Sequence, residues 1–232
     1  GVIVSRTTSP NIIYQGTERQ PVIVIDDFVA DPGLLIEDAA MLAYQPMGEH
    51  FPGVRAVVHP ALVSRFIEGL DPLLEEVFGL AMPLEKIDCW YSLVTAAPET
   101  LRPNQRLPHF DSTDPGRIAL LHYLSRAEAG GTAFFRHRAT GYESMSDDRL
   151  GDYSAHIEAD MARHGLPPAG YISGDTPMFE QIAHFDAVFN RAILYRGNTL
   201  HCADIPSGMA LPAEPVSGRL TVNSFLLGRL KE

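Results

Sequence analysis

Arg117-Ile118-Ala119-Leu120-Leu121-His122-Tyr123-Leu124 follows Pro108-His109-Phe110-Asp111 and the turn Asp114-Pro115-Gly116. An apolar run this short, entered through an Asp-Pro-Gly turn, reads as a strand and not as a helix. Similar short runs lie on both sides of it, at 87–95, 132–136, 191–195 and 220–227, with turn residues between them. The second part of the chain, 86–232, is therefore expected to be built from strands. The first part, 1–85, reads as helical after one short apolar strand at 22–25. There Asp31-Pro32 offers an N-cap and a proline at the first helical position, and apolar residues at helical spacing run to about Tyr44. A second helical pattern covers 60–78, is interrupted at Asp71-Pro72 and is stopped by Gly79. No repeat or composition break separates the two parts, so a single domain over 1–232 is expected. A polar insertion at about 138–176 has a helical centre at 147–163, and an amphipathic stretch at 179–189 also shows helical spacing. The insertion reads as surface elaboration or as a lid.

The composition narrows the function. A 45% hydrophobic chain of 232 residues buries a substantial core. Its longest apolar runs, such as Val22-Ile23-Val24-Ile25, fall far short of the roughly 20 residues that cross a bilayer. The two cysteines, Cys89 and Cys202, are too few for a disulfide framework, and no signal-peptide pattern opens the sequence, so a cytoplasmic location is expected. A net charge of −11 repels phosphate backbones and anionic membranes over most of the surface, which makes nucleic acid and membrane poor partners. A local basic patch could override that field, and Arg102, Arg106, Arg117, Arg136 and Arg138 lie near the region of interest.

His109-Phe110-Asp111 carries the chemistry. Residues two apart on an extended strand face one side, about 7 Å apart, so an imidazole and a carboxylate there can converge on one ion. Chance alone places roughly 0.6 His-x-Asp pairs in a chain of this composition, and this one has two, the other being His184-Phe185-Asp186. His156-Ile157-Glu158 would qualify if glutamate were allowed. The pair at His184 lies among Phe179, Ile182, Phe185 and Phe189 at helical spacing, where residues two apart diverge, and His156 lies in the charged insertion. His109 stands beside a turn and a strand and is preferred. Closure of a barrel would return a third ligand from a distant strand, and His201 follows the strand at 191–195. Two histidines and a carboxylate on one face of an ion leave three positions open, which suits iron(II) better than zinc.

The segments Pro108-His109-Phe110-Asp111, Arg117 to Ser125, and Gly130-Gly131-Thr132-Ala133-Phe134-Phe135 resemble, in order and spacing, the core of iron(II)/2-oxoglutarate dioxygenases of the prolyl-hydroxylase-like group. Ile193-Leu194-Tyr195 to Leu200-His201 and Gly218-Arg219-Leu220-Thr221-Val222-Asn223 resemble the later strands of that core, so the similarity covers about 87–227. It implies a β-rich α+β fold, with a double-stranded β-helix of the jelly-roll or cupin-like kind at its core and the N-terminal helices packed on it. It also implies iron(II) on His109, Asp111 and His201, with 2-oxoglutarate and dioxygen as cosubstrates.

The same resemblance gives Arg219 the distal carboxylate of 2-oxoglutarate, which a planar guanidinium meets with two parallel hydrogen bonds. Tyr123 would help bind that carboxylate, and Thr221 could add a hydroxyl from the same face. His122 should face the opposite way as a core histidine, and Cys202 should be inert. The loop Pro206 to Pro215 makes the His201–Arg219 gap longer than is usual for the family. Two rivals use the same barrel: a cupin-like metalloenzyme without 2-oxoglutarate, and a non-catalytic binding protein. The substrate class, a small molecule or a peptide or protein side chain, is left open by the sequence, as is the oligomeric state.

Overall fold

A computed structural model describes residues 9–125 and 129–232. Its strands form two antiparallel sheets. The larger holds seven, in the order β1 (Asn11–Gln15), β2 (Gln20–Ile25), β8 (Ala192–Arg196), β5 (Arg117–Tyr123), β10 (Arg219–Leu230), β4 (Leu80–Val94) and β3 (Gly53–Val57). The smaller holds β7 (Phe179–Asp186), β6 (Gly131–His137) and β9 (His201–Asp204).

The alternation of side chains across β5 and β10 explains the layering. Ile118, Leu120, Leu220, Val222 and Leu226 face one way and pack with Leu35, Phe66, Leu74 and Phe78 of three helices, α1 (Pro32–Ala40), α2 (Pro60–Ile67) and α3 (Asp71–Phe78). Ala119, Leu121 and Tyr123 face the other way and meet Phe134 of β6 and Phe185 of β7, so the sheets pack face to face. The outer face of the smaller sheet, with Ala133, Phe135 and Cys202, is covered by Tyr153 of α4 (Leu150–His164). Below α4 the buried His137 bridges Thr140 and Asp160, at 2.8 and 2.7 Å, and ties the helix to β6.

Three sequence expectations are corrected here. Residues 1–85 hold more than helices and the one strand expected at 22–25, which is β2, because they also supply β1, β3 and the start of β4. The polar residues in β1 and β3 lie on outer strands, where half-exposed positions break the apolar pattern. The stretch at 179–189 is not a helix but β7, a strand to Asp186. Its pairing with β6 slips by one residue, Phe134 lying opposite Ala183 and Phe135 opposite Gln181. The extra residue sends Phe179 and Phe185 to opposite faces of the sheet, and the interrupted alternation imitates a helical period. Finally, the first helix ends at Ala40, short of Tyr44. The second helical pattern breaks at 68–70, just before Asp71-Pro72, which open α3, and the stop at Gly79, with φ of 69°, stands where the sequence places it.

His122 faces the helical layer, as its alternation with Tyr123 requires, and lies edge-on to Phe28. The amide of Asn190 donates to Val29 O and its Oδ1 accepts from Val29 N, so that Oδ1 can only accept from His122 Nε2, 2.9 Å away. His122 is therefore the Nε2–H tautomer, and its buried Nδ1 has no partner. Burial holds its pKa down to about 4, only partly countered by Asn190. Since the unfolded chain takes up this proton near pH 6.5 and the folded one near 4, stability is full above 6.5 and is lost as pH falls through that window. His122→Gln is expected to remove about 3 kcal/mol of the wild-type loss between pH 7.5 and 4, read from urea melts at both pH values. Equal pH dependence in the two proteins would contradict the assignment.

Candidate metal centre

After β8 the chain turns through Gly197 and crosses to the small sheet, so His201 is not an appendage of the preceding strand but the first residue of β9. His109 and His201 exchange both backbone hydrogen bonds, each 2.9 Å, and Asp111 N donates to Gly197 O at 2.7 Å. Residues 109–111 thus form a bridge and a loop instead of the regular strand expected, held at two points against the turn that delivers His201. The pinning brings together three side chains that the sequence keeps apart. One ligand atom each from His109, Asp111 and His201 lie within 4.8 Å of one another, with Asp111 Oδ1 3.5 Å from His109 Nε2 and 3.6 Å from His201 Nε2.

The surroundings prepare these atoms for a cation. His201 Nδ1 lies 2.7 Å from Thr199 O, and a carbonyl only accepts, so the proton sits on Nδ1 and the Nε2 lone pair faces the triad. Tyr195 and Phe134, with ring centroids 4.8 and 6.0 Å from that of His201, hold the imidazole in place. Asp111 Oδ2 is buried without a hydrogen-bond partner, an acceptor awaiting a positive charge. Burial alone would raise the Asp111 carboxyl, but the two imidazoles beside it outweigh that and hold it well below the usual carboxylate range. A side chain at Gly197 would press on this carboxylate, since a Cβ there would lie 3.1 Å from Oδ2. His109 keeps about half its side chain in solvent and forms the open side. A largely buried carboxylate, one oriented imidazole and a second, half-exposed imidazole fit a divalent transition metal with positions left for other ligands.

Arg219 opens β10 and is buried. Its Nε donates to Ala129 O at 2.9 Å and its Nη2 to Gly131 O at 3.0 Å, so two of its five donors go to backbone. Thr221 follows on the same face, opposite Tyr123, with its hydroxyl 2.6 Å from Asn223 Oδ1. The Tyr123 hydroxyl meets Thr132 Oγ1, and burial pushes it up to about 12. All three lie on the face turned toward the small sheet, the same face from which Tyr195 touches His201. Cys202 is turned to the outer cluster under α4, and burial pushes its thiol well above the usual range. The arm that follows α4 returns to the segment 96–106, where Tyr171 Oη donates to Ala96 O at 2.7 Å and Arg106 donates to Pro167 O at 3.1 Å.

The rejected pairs behave as side chains with other duties. His184 Nε2 is 2.8 Å from Asp204 and its Nδ1 is 3.3 Å from Asp186, so its two nitrogens are taken by separate carboxylates. His156 sits on α4 with Asp152. Sequence reasoning missed Tyr195 and Thr199, though both stand on the segment leading into His201, and it missed Arg55 of β3, whose strand it did not see. Arg55 has no neighbour in sequence that marks it, yet it lies close enough to Asp111 for their charges to interact.

A family model described as "Family of unknown function (DUF6445)" matches residues 6–226. No curated protein matches the chain. Among solved structures, the non-heme alpha ketoglutarate dependent epimerase SnoN from nogalamycin biosynthesis is similar at 13% identity, over 91% of this chain and 79% of that one, with a TM-score of 0.45.

Proposed function

The chain belongs to the family of unknown function DUF6445, and we propose that it is an iron(II)- and 2-oxoglutarate-dependent oxygenase of the prolyl-hydroxylase-like kind, hydroxylating a small molecule or a peptide or protein side chain. One observation carries the reading: His109, Asp111 and His201 converge, with the His201 lone pair aimed inward and Asp111 Oδ2 buried and unpartnered. These three residues would hold iron(II), and Arg219, with Tyr123 and Thr221 beside it, would hold the distal carboxylate of 2-oxoglutarate. Iron(II) and 2-oxoglutarate together supply dioxygen activation and oxidation of a substrate carbon. The protein's part is to orient, to exclude water and to choose the substrate, which needs no acid–base residue.

The strand order supports a double-stranded β-helix. β4, β10, β5 and β8 lie side by side in the large sheet, while the 109–111 segment, β9, β6 and β7 line up opposite. A single domain is supported by the core in which β2, α1–α3, β5, β8 and β10 share side-chain contacts. No helix among the described residues is long and apolar enough to cross a membrane. Titrating the anaerobic iron(II) protein with 2-oxoglutarate is expected to produce the visible charge-transfer band of a chelated keto acid. Iron uptake without that band would favour the cupin-like reading, and no iron uptake would end both.

A further inference from the structure

The inner face of the large sheet carries a row of cations and rings beside the triad. Arg55 (β3), Trp90 (β4), Phe225 (β10) and Arg117 (β5) stand on that face, as the pairings Arg55 with Ser92, Trp90 with Asn223 and Phe225 with Ala119 require. The Arg55 guanidinium lies 3.9 Å from the Phe51 ring centroid and 5.5 Å from that of Trp90; Trp90 is 5.7 Å from Phe225; the Arg117 guanidinium lies 4.6 Å from Phe225. The backbone of Arg117 touches the metal site, because Gly197 donates to Arg117 O at 2.9 Å while its own carbonyl accepts from Asp111.

Most arginines in this chain are spent on protein. Arg136, Arg149 and Arg191 pair with carboxylates, Arg106 and Arg196 donate to backbone carbonyls, and Arg219, which gives two of its five donors to backbone, is already assigned to the cosubstrate. Arg55 and Arg117 differ. Arg55 spends its Nε on Ser92 Oγ at 3.0 Å, and Arg117 Nε is buried with no partner. Neither forms an ion pair with a described residue. A ring packed on the face of a guanidinium fixes its plane and leaves its hydrogen-bonding edge unused, which is the edge that meets an oxyanion with two prongs. Burial lowers Arg55 to about 10, which leaves it charged at neutral pH. A chain of net charge −11 thus keeps, near its candidate metal site, two cations with no ion pair among the described residues, a local field that draws an anion inward.

We infer that Arg117 binds an oxyanion group of the primary substrate, a carboxylate or a phosphate, beside the iron site, and that Arg55, at the other end of the row, adds to the field that draws it in. This rests on the oxygenase reading above and adds the substrate class. The test uses protein loaded with zinc(II) and 2-oxoglutarate, titrated calorimetrically with benzoate, phenyl phosphate and their neutral counterpart benzamide. At least one anion is expected to bind ten or more times more tightly than benzamide, and the tighter of the two identifies the group. Arg117→Met should weaken that anion at least tenfold, and Arg55→Met by a smaller factor, while 2-oxoglutarate binds within twofold of wild type in both. Should Arg117→Met fail to fold, Arg117→Lys decides: an intermediate affinity supports the site, wild-type affinity overturns it. Anions no tighter than benzamide, unchanged affinity in Arg117→Met, or a loss of 2-oxoglutarate as large as that in Arg219→Met would overturn the inference. If the wild type takes up no 2-oxoglutarate, the oxygenase reading fails, and the same titrations on the zinc protein still decide the anion site.

Discussion

Asp111→Asn is expected to weaken iron(II) binding by about 100-fold or more, and with it to remove substrate-dependent succinate formation. The exchange keeps the shape of the side chain and deletes the only negative charge of the triad. His109 and His201 would still present their nitrogens, but the buried oxygen that balances the ion would be gone. A 100-fold loss corresponds to about 3 kcal/mol. The backbone of residue 111 stays pinned by Gly197 O, so the apoprotein should melt within a few degrees of wild type. The second His-x-Asp pair supplies the control. Asp186 shares His184 with Asp204 and takes no part in the triad, so Asp186→Asn should leave iron stoichiometry unchanged. Equilibrium dialysis with iron(II) under argon measures all three proteins. Equal iron in wild type and Asp111→Asn, or loss of iron in Asp186→Asn, would remove the basis of the metal assignment.

That control also shows why the choice between the two pairs was legible in sequence for a reason that was only half right. The pair at 184 was set aside because its neighbours looked helical, yet it lies on a strand, where both side chains could in principle converge. What disqualifies it is tertiary: Asp204 on β9 reaches His184 first. The strands β4, β5, β6, β8 and β10 were legible because each is an apolar run closed by turn residues. β1 and β3 were not, since edge strands carry half-exposed side chains, and β7 was hidden by its bulge. His109 and Asp111 declared themselves by spacing, and His201 by its place after a strand. Arg55 and Arg117 could not, because an arginine becomes a candidate only when its partners are known. Four of the five arginines first considered as a basic patch turn out to be engaged: Arg136 and Arg138 with carboxylates, Arg102 and Arg106 with backbone carbonyls. Arg117 is the one left.

If Arg219 holds the distal carboxylate as proposed, Arg219→Met is expected to reduce 2-oxoglutarate affinity by about 100-fold or more, since an apolar chain would replace a charge-assisted contact. The same change has a second effect that must be separated from the first. Arg219 satisfies the carbonyls of Ala129 and Gly131, and leaving each buried and unpaired costs about 1–3 kcal/mol, so the methionine variant should also melt earlier. A residue that only held the backbone together would give this stability loss without a selective loss of 2-oxoglutarate. Arg219→Lys divides the two roles. An ammonium retains the charge and can serve a carbonyl, but it lacks the planar edge, so stability should recover more than affinity does. The readouts are the melting temperature of the iron-free protein and the 2-oxoglutarate concentration at half-maximal charge-transfer absorbance. If both variants bind 2-oxoglutarate as wild type does while melting early, Arg219 is a structural residue and the oxygenase reading gives way to a metal site without this cosubstrate. If affinity falls tenfold or more in Arg219→Lys while its melting temperature stays near wild type, the guanidinium edge is read by the cosubstrate as well as by the backbone. The Tyr123 hydroxyl, held on Thr132 and pushed up to about 12, would then act beside it as a neutral donor at any pH where the protein is folded and active.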